Sequence, residues 1–343
     1  MVGEDRVVTD DWEEPGAHPV APGIYRIPLP LPMDGLRAVN VYAVTAGSSV
    51  TMIDAGWAIE ESRAQLEQSL KQIDAGLGDV DRFLVTHVHR DHYTQAVALR
   101  REFGTRVSLG VGERPSLEEL HETGAGDRAQ TAQLRRYGAA QVLDELVARG
   151  WREPIDLAQW EFPTDWLTDG QTVAVGERTL RAVHTPGHTR GHLVFADLAD
   201  GLLFAGDHVL PHITPSIGFE ASVTESPLAD YLRSLAAVRA LPDLRLLPAH
   251  GPVTGSVHAR VDELLAHHED RLAASEAAVR AGAVTPYEAA RALGWTRRAR
   301  AFADLDPWNQ MLAVCETAAH LLVLAAQGRL RHTTVDGVDH FGP

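Results

Sequence analysis

The chain has 343 residues, with 31 Lys+Arg against 47 Asp+Glu and a formal net charge of −16. That length accommodates one large or two modest domains with a sizeable core, and ordinary shares of hydrophobic (45%) and charged (23%) residues exclude wholesale disorder. An acidic surface repels phosphate backbones, which sets nucleic acid aside as an electrostatic partner.

The single cysteine, Cys315, excludes an intramolecular disulfide and any multi-cysteine zinc site. It lies in the apolar stretch Met311–Leu324, where a buried small hydrophobe is expected. No uninterrupted apolar run reaches the roughly 18–20 residues of a membrane span. Met1–Glu14 is acidic and lacks the apolar stretch of a signal peptide, so a soluble cytoplasmic protein is expected. Histidine is in surplus: 17 in all, 11 of them between His87 and His258.

In chain order, residues 1–22 are polar and read as an arm. Ile24–Ile27, Val39–Val44 and Ser49–Ile53 are strand-like, with Gly47-Ser48 as a hairpin turn. Ala58–Asp74 reads as an amphipathic helix, Arg82–Val85 as a buried strand, Ala96–Phe103 as a helix and Arg106–Leu109 as a strand. Helical segments follow at Ser116–Glu122, Asp127–Tyr137 and Ala139–Arg149, then Trp151, Trp160, Phe162 and Trp166. Strands resume at Thr172–Val175, Leu180–Val183, Leu193–Asp197, Leu202–Ala205 and Leu244–Pro248. Helix Pro227–Arg239, with Ser226 as its expected N-cap, precedes the last of these. After Gly255 come helices Val257–Ala281, Thr285–Leu293 and Asn309–Gln327. A hairpin of Arg329–Thr334 and Val338–Phe341 closes the chain around Asp336-Gly337.

The strongest chemical signal is Thr86-His87-Val88-His89-Arg90-Asp91-His92, expected as a loop at a strand's carboxyl end, where α/β folds place their sites. His87 and His89 can aim two imidazoles at one ion, and Asp91 with His92 can reach a second position. Imidazole and carboxylate without thiolate suit Zn, Fe or Mn. Four more metal-capable residues end strands beside glycine: Asp54 before Gly56, His188 after Gly187, Asp207 after Gly206, and His250 before Gly251. Glycine there lets the backbone turn sharply around a site.

These five motifs, in this order, resemble the metallo-β-lactamase superfamily over about residues 20–256. The resemblance implies an α/β fold, a four-layer αββα sandwich with two divalent metal ions at one edge, zinc first and Fe or Mn as alternatives. By motif, His87, His89 and His188 would hold the first ion, Asp91, His92 and His250 the second, and Asp207 both. Asp54 resembles the family carboxylate that orients a ligand histidine, and Asp54 and Asp91 are the expected catalytic carboxylates. Between the ions a water would ionise near neutral pH and attack a carbonyl or phosphoryl group. The cysteine ligand of true zinc β-lactamases has no counterpart before position 315, which sets penicillin hydrolysis aside. Tyr93, His208 and His212 are expected at the substrate or simply packed. His192 is expected to support the site or to pack in the core, and His267-His268 to face solvent.

The His89-Arg90-Asp91-His92 and His250-Gly251-Pro252-Val253 sequences and the small tail are closest to the β-lactamase-like protein 2 group, which carries a C-terminal winged-helix-like domain. The expected organisation is therefore an arm at 1–22, a catalytic domain at 23–256 with a helical insertion at about 115–166, and a winged-helix-like domain at 257–343. That group includes single-strand endoribonucleases and thioesterases. Residues 257–343 hold 9 Arg and 11 Asp+Glu, net −2, which leaves −14 on the catalytic part and disfavours RNA. The aromatic-rich insertion could cover the cleft and shelter an apolar acyl group, or serve as extra core or a dimer surface. The expectation is hydrolysis of a small-molecule acyl substrate (thioester, ester or lactone), without nucleic acid or membrane and with a homodimer allowed. Phosphodiester or ribonuclease-like cleavage comes second. A DNA-binding regulator, drawing on Arg297, Arg298 and Arg300, comes third.

Overall fold

The computed structural model describes residues 12–32, 35–124, 128–150, 155–220, 222–296 and 299–343. The first half contains β1 (His18–Ala21), β2 (Ile24–Pro30), β3 (Ala38–Ala46), β4 (Ser49–Ile53), α1 (Glu60–Lys71), β5 (Val80–Leu84), α2 (Arg90–Phe103) and β6 (Arg106–Gly110). The insertion follows as α3 (Arg114–Thr123), α4 (Arg128–Arg136) and α5 (Ala140–Ala148), ending in β7 (Asp165–Leu167). These seven strands make one sheet in sequence order. β1 to β4 pair antiparallel, and β4 to β7 pair parallel. The turn at Gly47-Ser48 is where expected, with Ala46 paired to Ser49.

The second sheet takes β8 (Thr172–Val175), β9 (Arg178–His184), β10 (Leu193–Asp197), β11 (Leu202–Gly206) and β12 (Arg245–Pro248), in the order β12-β11-β10-β9-β8, with α6 (Pro227–Arg239) crossing over between β11 and β12. α7 (Val257–Arg280), α8 (Pro286–Ala292), α9 (Pro307–Ala326) and the hairpin β13 (Arg331–Val335) and β14 (Val338–Gly342) complete the chain.

Three cores define the layers. One lies between the sheets, where Tyr42, Ile53 and Leu84 meet Leu180, Phe195 and Phe204. A second packs α1, α2 and α3 on the outer face of the first sheet through Leu66, Tyr93, Val97 and Leu117. The third packs α4, α5, α6, α7 and α9 on the second sheet through Leu134, Leu143, Leu235, Leu264 and Leu321. This is the αββα order. It explains why β10 and β11 are buried at every position, since both of their faces are covered.

Several elements depart from expectation. Strand β1 occupies residues 18–21 of the expected arm, paired to β2, and β7 emerges from the insertion. α2 starts at Arg90, so Asp91 and His92 stand on a helix's first turn, not on a loop. Ser226 makes no side-chain cap at α6, whereas Thr285 forms a full capping box with Glu288. His268 is buried, not solvated, because α9 covers its face of α7. Among the described residues α9 is long and apolar enough to cross a membrane, but 61% of its apolar window is buried inside the fold. Cys315 is on that helix, buried, and burial pushes its thiol up to about 12. Trp151, Arg297 and Arg298 lie outside the described residues.

Candidate metal centre

The ends of β4, β5, β9, β11 and β12 converge on one edge of the sandwich, and backbone hydrogen bonds lock the sheets together there. Leu193 N donates to Thr86 O at 2.8 Å and Asn40 N to Ala249 O at 2.6 Å, while within the second sheet Ala249 N donates to Gly206 O at 3.1 Å. Gly206 has φ +50°, and a Cβ there would lie 2.7 Å from Thr86 Oγ1 and 2.8 Å from His192 Nε2. The turn that delivers Asp207 therefore needs glycine.

Two donor groups form at this edge. His87, His89, His188 and Asp207 bring one atom each within 4.8 Å of one another, and so do Asp91, His92 and His250. In the first group His89 Nδ1 lies 3.0 Å from both His87 Nε2 and His188 Nε2, and Asp207 Oδ2 is 3.4 Å from His188 Nε2. In the second, Asp91 Oδ2 is 3.5 Å from His92 Nε2 and from His250 Nε2. Asp207 Oδ1 faces the second group, 3.4 Å from His250 Nε2 and 3.6 Å from His92 Nε2. One carboxylate thus serves both groups.

These separations suit metal ions. Ligand bonds of 2.0–2.1 Å in a tetrahedron place the donors about 3.3 Å apart. Among the described residues His92 Nε2, His250 Nε2 and Asp207 Oδ1 are buried without a hydrogen-bond partner, a cost that a cation shared among them removes.

Three of the rings are tied down on their far side. His92 Nδ1 is 2.9 Å from Asp54 Oδ2, His188 Nδ1 is 2.7 Å from the Ser216 carbonyl and His250 Nδ1 is 2.8 Å from the Ala38 carbonyl. Asp54 also accepts from Thr86 N at 2.7 Å and Thr86 Oγ1 at 3.0 Å. It does so from a left-handed backbone, φ +60°, which a non-glycine residue keeps only when its surroundings enforce it. Fixing the tautomer this way aims the Nε2 of His92, His188 and His250 into the site, whereas His89 turns its Nδ1 inward.

The electrostatics match. Burial and the surrounding imidazoles hold His87 well below the usual range and His89 at about 3, so both are neutral donors. Burial opposes a charge on His92, but Asp91, Asp54 and Asp207 outweigh it and raise this group to about 10. Burial likewise opposes the charge on Asp207, and His250 and His92 overcome it, keeping the carboxylate ionised. The second group is thus a place where positive charge is strongly favoured.

All seven expected ligands and Asp54 come together. The expected substrate residues divide. Tyr93 follows His92 on α2, and one helical step turns it away from the site into the core, where its hydroxyl donates to the Glu161 carbonyl. His208 is also buried behind the site, its ring 5.2 Å from Tyr231, and burial pushes it down to about 3. Neither touches the mouth. His212 is exposed and flanks Gly251, next to His250, so it alone of the three stands at the rim. His192 stacks on His87 at 5.0 Å and accepts from Asp207 N at 3.2 Å, supporting the site. The sequence reading missed Glu113 and Glu220, two buried carboxylates beside the His188 loop. Glu113 accepts from Thr189 Oγ1, and Glu220 accepts from Arg190 N at 2.9 Å. Glu113 ends Gly110-Val111-Gly112-Glu113 after β6, a strand-end signal of the kind that flagged Asp54.

An αββα sandwich with a His/Asp cluster at its strand ends defines a metal-dependent hydrolase. The model of the Metallo-beta-lactamase superfamily matches residues 34–250, and the chain belongs to that superfamily. It is 25% identical to the probable metallo-hydrolase YqjP of Bacillus subtilis, covering 88% of this chain and 91% of that protein. It is 24% identical to the beta-lactamase-like protein 2 homolog of Caenorhabditis elegans over 69% of this chain and 63% of that protein. A fungal lactamase-like protein, adaB of Aspergillus niger, is covered over 57% of its length, so the chain spans less than two thirds of some relatives. The crystal structure of a beta-lactamase domain protein from Burkholderia ambifaria superposes with a TM-score of 0.77 at 27% identity, covering 95% of this chain and 93% of that one.

Proposed function

We propose that this hydrolase works with two divalent ions, zinc first, and cleaves an acyl bond in a thioester, ester or lactone. The observation that carries the two-ion reading is Asp207, with one oxygen 3.4 Å from His188 Nε2 and the other 3.4 Å from His250 Nε2. His87, His89 and His188 would hold the first ion and Asp91, His92 and His250 the second. Ions bound there supply Lewis acidity and bring the ionisation of water near neutrality. Asp54 keeps the His92 ring oriented, and the Asp91 carboxylate, which faces the mouth more than its partners, is placed to hold the proton released by the attacking water. The acidic chain and an aromatic flank at His89 favour an acyl substrate over a polyphosphate backbone. Three helices and a hairpin after Val257 support reading the tail as winged-helix-like in shape and as a wall of the site.

The test is metal analysis with hydrolysis measured side by side on acyl-CoA, lactone, aryl ester and bis-aryl phosphodiester substrates. Turnover of the acyl substrates with two ions per chain is expected. Preference for the phosphodiester would move the protein to the second reading. His89→Ala and Asp91→Ala should each lower kcat at least about a thousandfold while the circular dichroism melt stays that of a folded chain. Unchanged turnover in either variant contradicts the assigned roles.

A further inference from the structure

Residues 216–220, ahead of α6, lie beside the site on the His188 side. Three residues beyond the Ser216 carbonyl that holds His188, the Phe219 ring lies 6.4 Å from the His89 ring, tilted by 53°. Its other side meets Trp308 edge to face, with centroids 5.2 Å apart at 71°. Trp308 stands on the first turn of α9 and is 40% exposed. A line of three rings therefore runs from a ligand imidazole to the surface, and its outermost member comes from the C-terminal part of the chain.

Phe219 is held in place. The carbonyls on either side of it, those of Gly218 and Glu220, accept from Gln133 Nε2 and Gln130 Nε2 of α4, each at 3.2 Å. The Glu220 carboxylate is itself fastened to Arg190 N. The insertion thus braces this wall from behind. An aromatic face beside a polar cluster suits the apolar part of a bound molecule.

We propose that Phe219 and Trp308 are the specificity wall of the site, on which an aromatic or long apolar acyl group lies while its carbonyl reaches the metal ligands. The bond cleaved rests on the acyl reading above; the group recognised rests on the rings. Stacking on Trp308 favours an aryl acyl group and leaves acetyl indifferent.

The experiment uses the metal-loaded full chain with acetyl and phenylacetyl thioesters of one thiol. In parallel, calorimetry measures the binding of acetate and phenylacetate. Trp308→Ala should lower kcat/KM for the phenylacetyl thioester and affinity for phenylacetate about tenfold each, with less than twofold change for the acetyl pair and unchanged metal content. Trp308→Leu, which keeps apolar volume, should fall between them and serves if the alanine variant does not fold. If no thioester is cleaved yet phenylacetate binding falls tenfold, the acyl reading fails and the wall stands. Equal losses for both acyl groups, no loss for either, or no preference of the wild-type chain for phenylacetate over acetate would overturn the wall.

Discussion

Glu113 is the residue whose burial most needs an explanation. It is fully buried, one oxygen accepts from Thr189 Oγ1, and the Val88 N–H also donates to its carboxylate, while Oε2 has no partner. Val88 sits between His87 and His89, and Thr189 follows His188. One carboxyl group therefore clamps the two loops that carry three ligands of the first group. Burial pushes it up to about 7 despite these hydrogen bonds. Glutamine keeps an accepting oxygen and puts an amide where the orphan oxygen is, so Glu113→Gln should bind the first ion within about threefold of the wild-type chain. Glu113→Ala leaves a buried N–H and hydroxyl unpaired and should weaken it roughly 10–100-fold. Chelator competition reads both, and equal behaviour of the two variants would show that the clamp is only filler. His87, His89, Asp91 and His92 were legible as one dense motif following a strand, and His188, Asp207 and His250 because each lies at a strand end beside glycine. The sequence left Tyr93 open between substrate and core because nothing local announces that α2 begins at Arg90, and a single helical step decides which of the two it faces.

At the scale of elements, the clamp depends on a backbone crossing. The turn after β6 passes so close to the His188 loop that a Cβ on Gly191 would sit 2.1 Å from Glu113 N and 2.4 Å from Gly112 C. Backbone atoms cannot rotate away as a side chain can. Gly191→Ala should therefore destabilise the fold by about 2–4 kcal/mol in urea unfolding at fixed metal concentration. Gly255→Ala, with nothing within 4 Å, is the control and should stay within about 0.5 kcal/mol. A Gly191→Ala change as small as the control would mean that the crossing is looser than its distances indicate. Such crossings are invisible in sequence, because Gly112 and Gly191 are about eighty residues apart and neither stretch differs from an ordinary turn. The same distance hid the place of the insertion. Its helices read correctly as helices, but their apolar faces did not reveal whether they cover the cleft. α4 and α5 are buried with α9 in one core and α3 in the core on the first sheet, and α4 reaches the wall of the site through Gln130 and Gln133.

Across the whole molecule, the strands and helices were legible from periodicity, whereas the union of the tail with the second sheet was not. α7, α9 and the outer face of that sheet form one continuous core, and the polar stripe expected to expose His267-His268 is partly swallowed by it. His268 Nδ1 lies 3.1 Å from His320 Nε2 across α7 and α9, and Tyr231 of α6 closes the other side at 5.4 Å. The charged groups facing the pair are His267, Arg271 and Glu316. Burial, with His267 and Arg271 beside the pair, pushes His268 down to about 2 and His320 down to about 4. In the unfolded chain both titrate near 6.5, so below that pH the unfolded state binds more protons than the folded one. Stability from this pair is complete above pH 6.5 and is lost as pH falls from there toward 4 for His320, and further for His268. Between pH 7 and pH 5 the loss is roughly 2 kcal/mol per histidine. A His268→Gln/His320→Gln chain should therefore lose up to about 4 kcal/mol less than the wild-type chain over that interval. Urea unfolding of both at each pH isolates the difference, because the metal-site histidines titrate identically in the two. An equal loss in both chains would mean that the pair is hydrated and takes up protons without opening the α7–α9 contact.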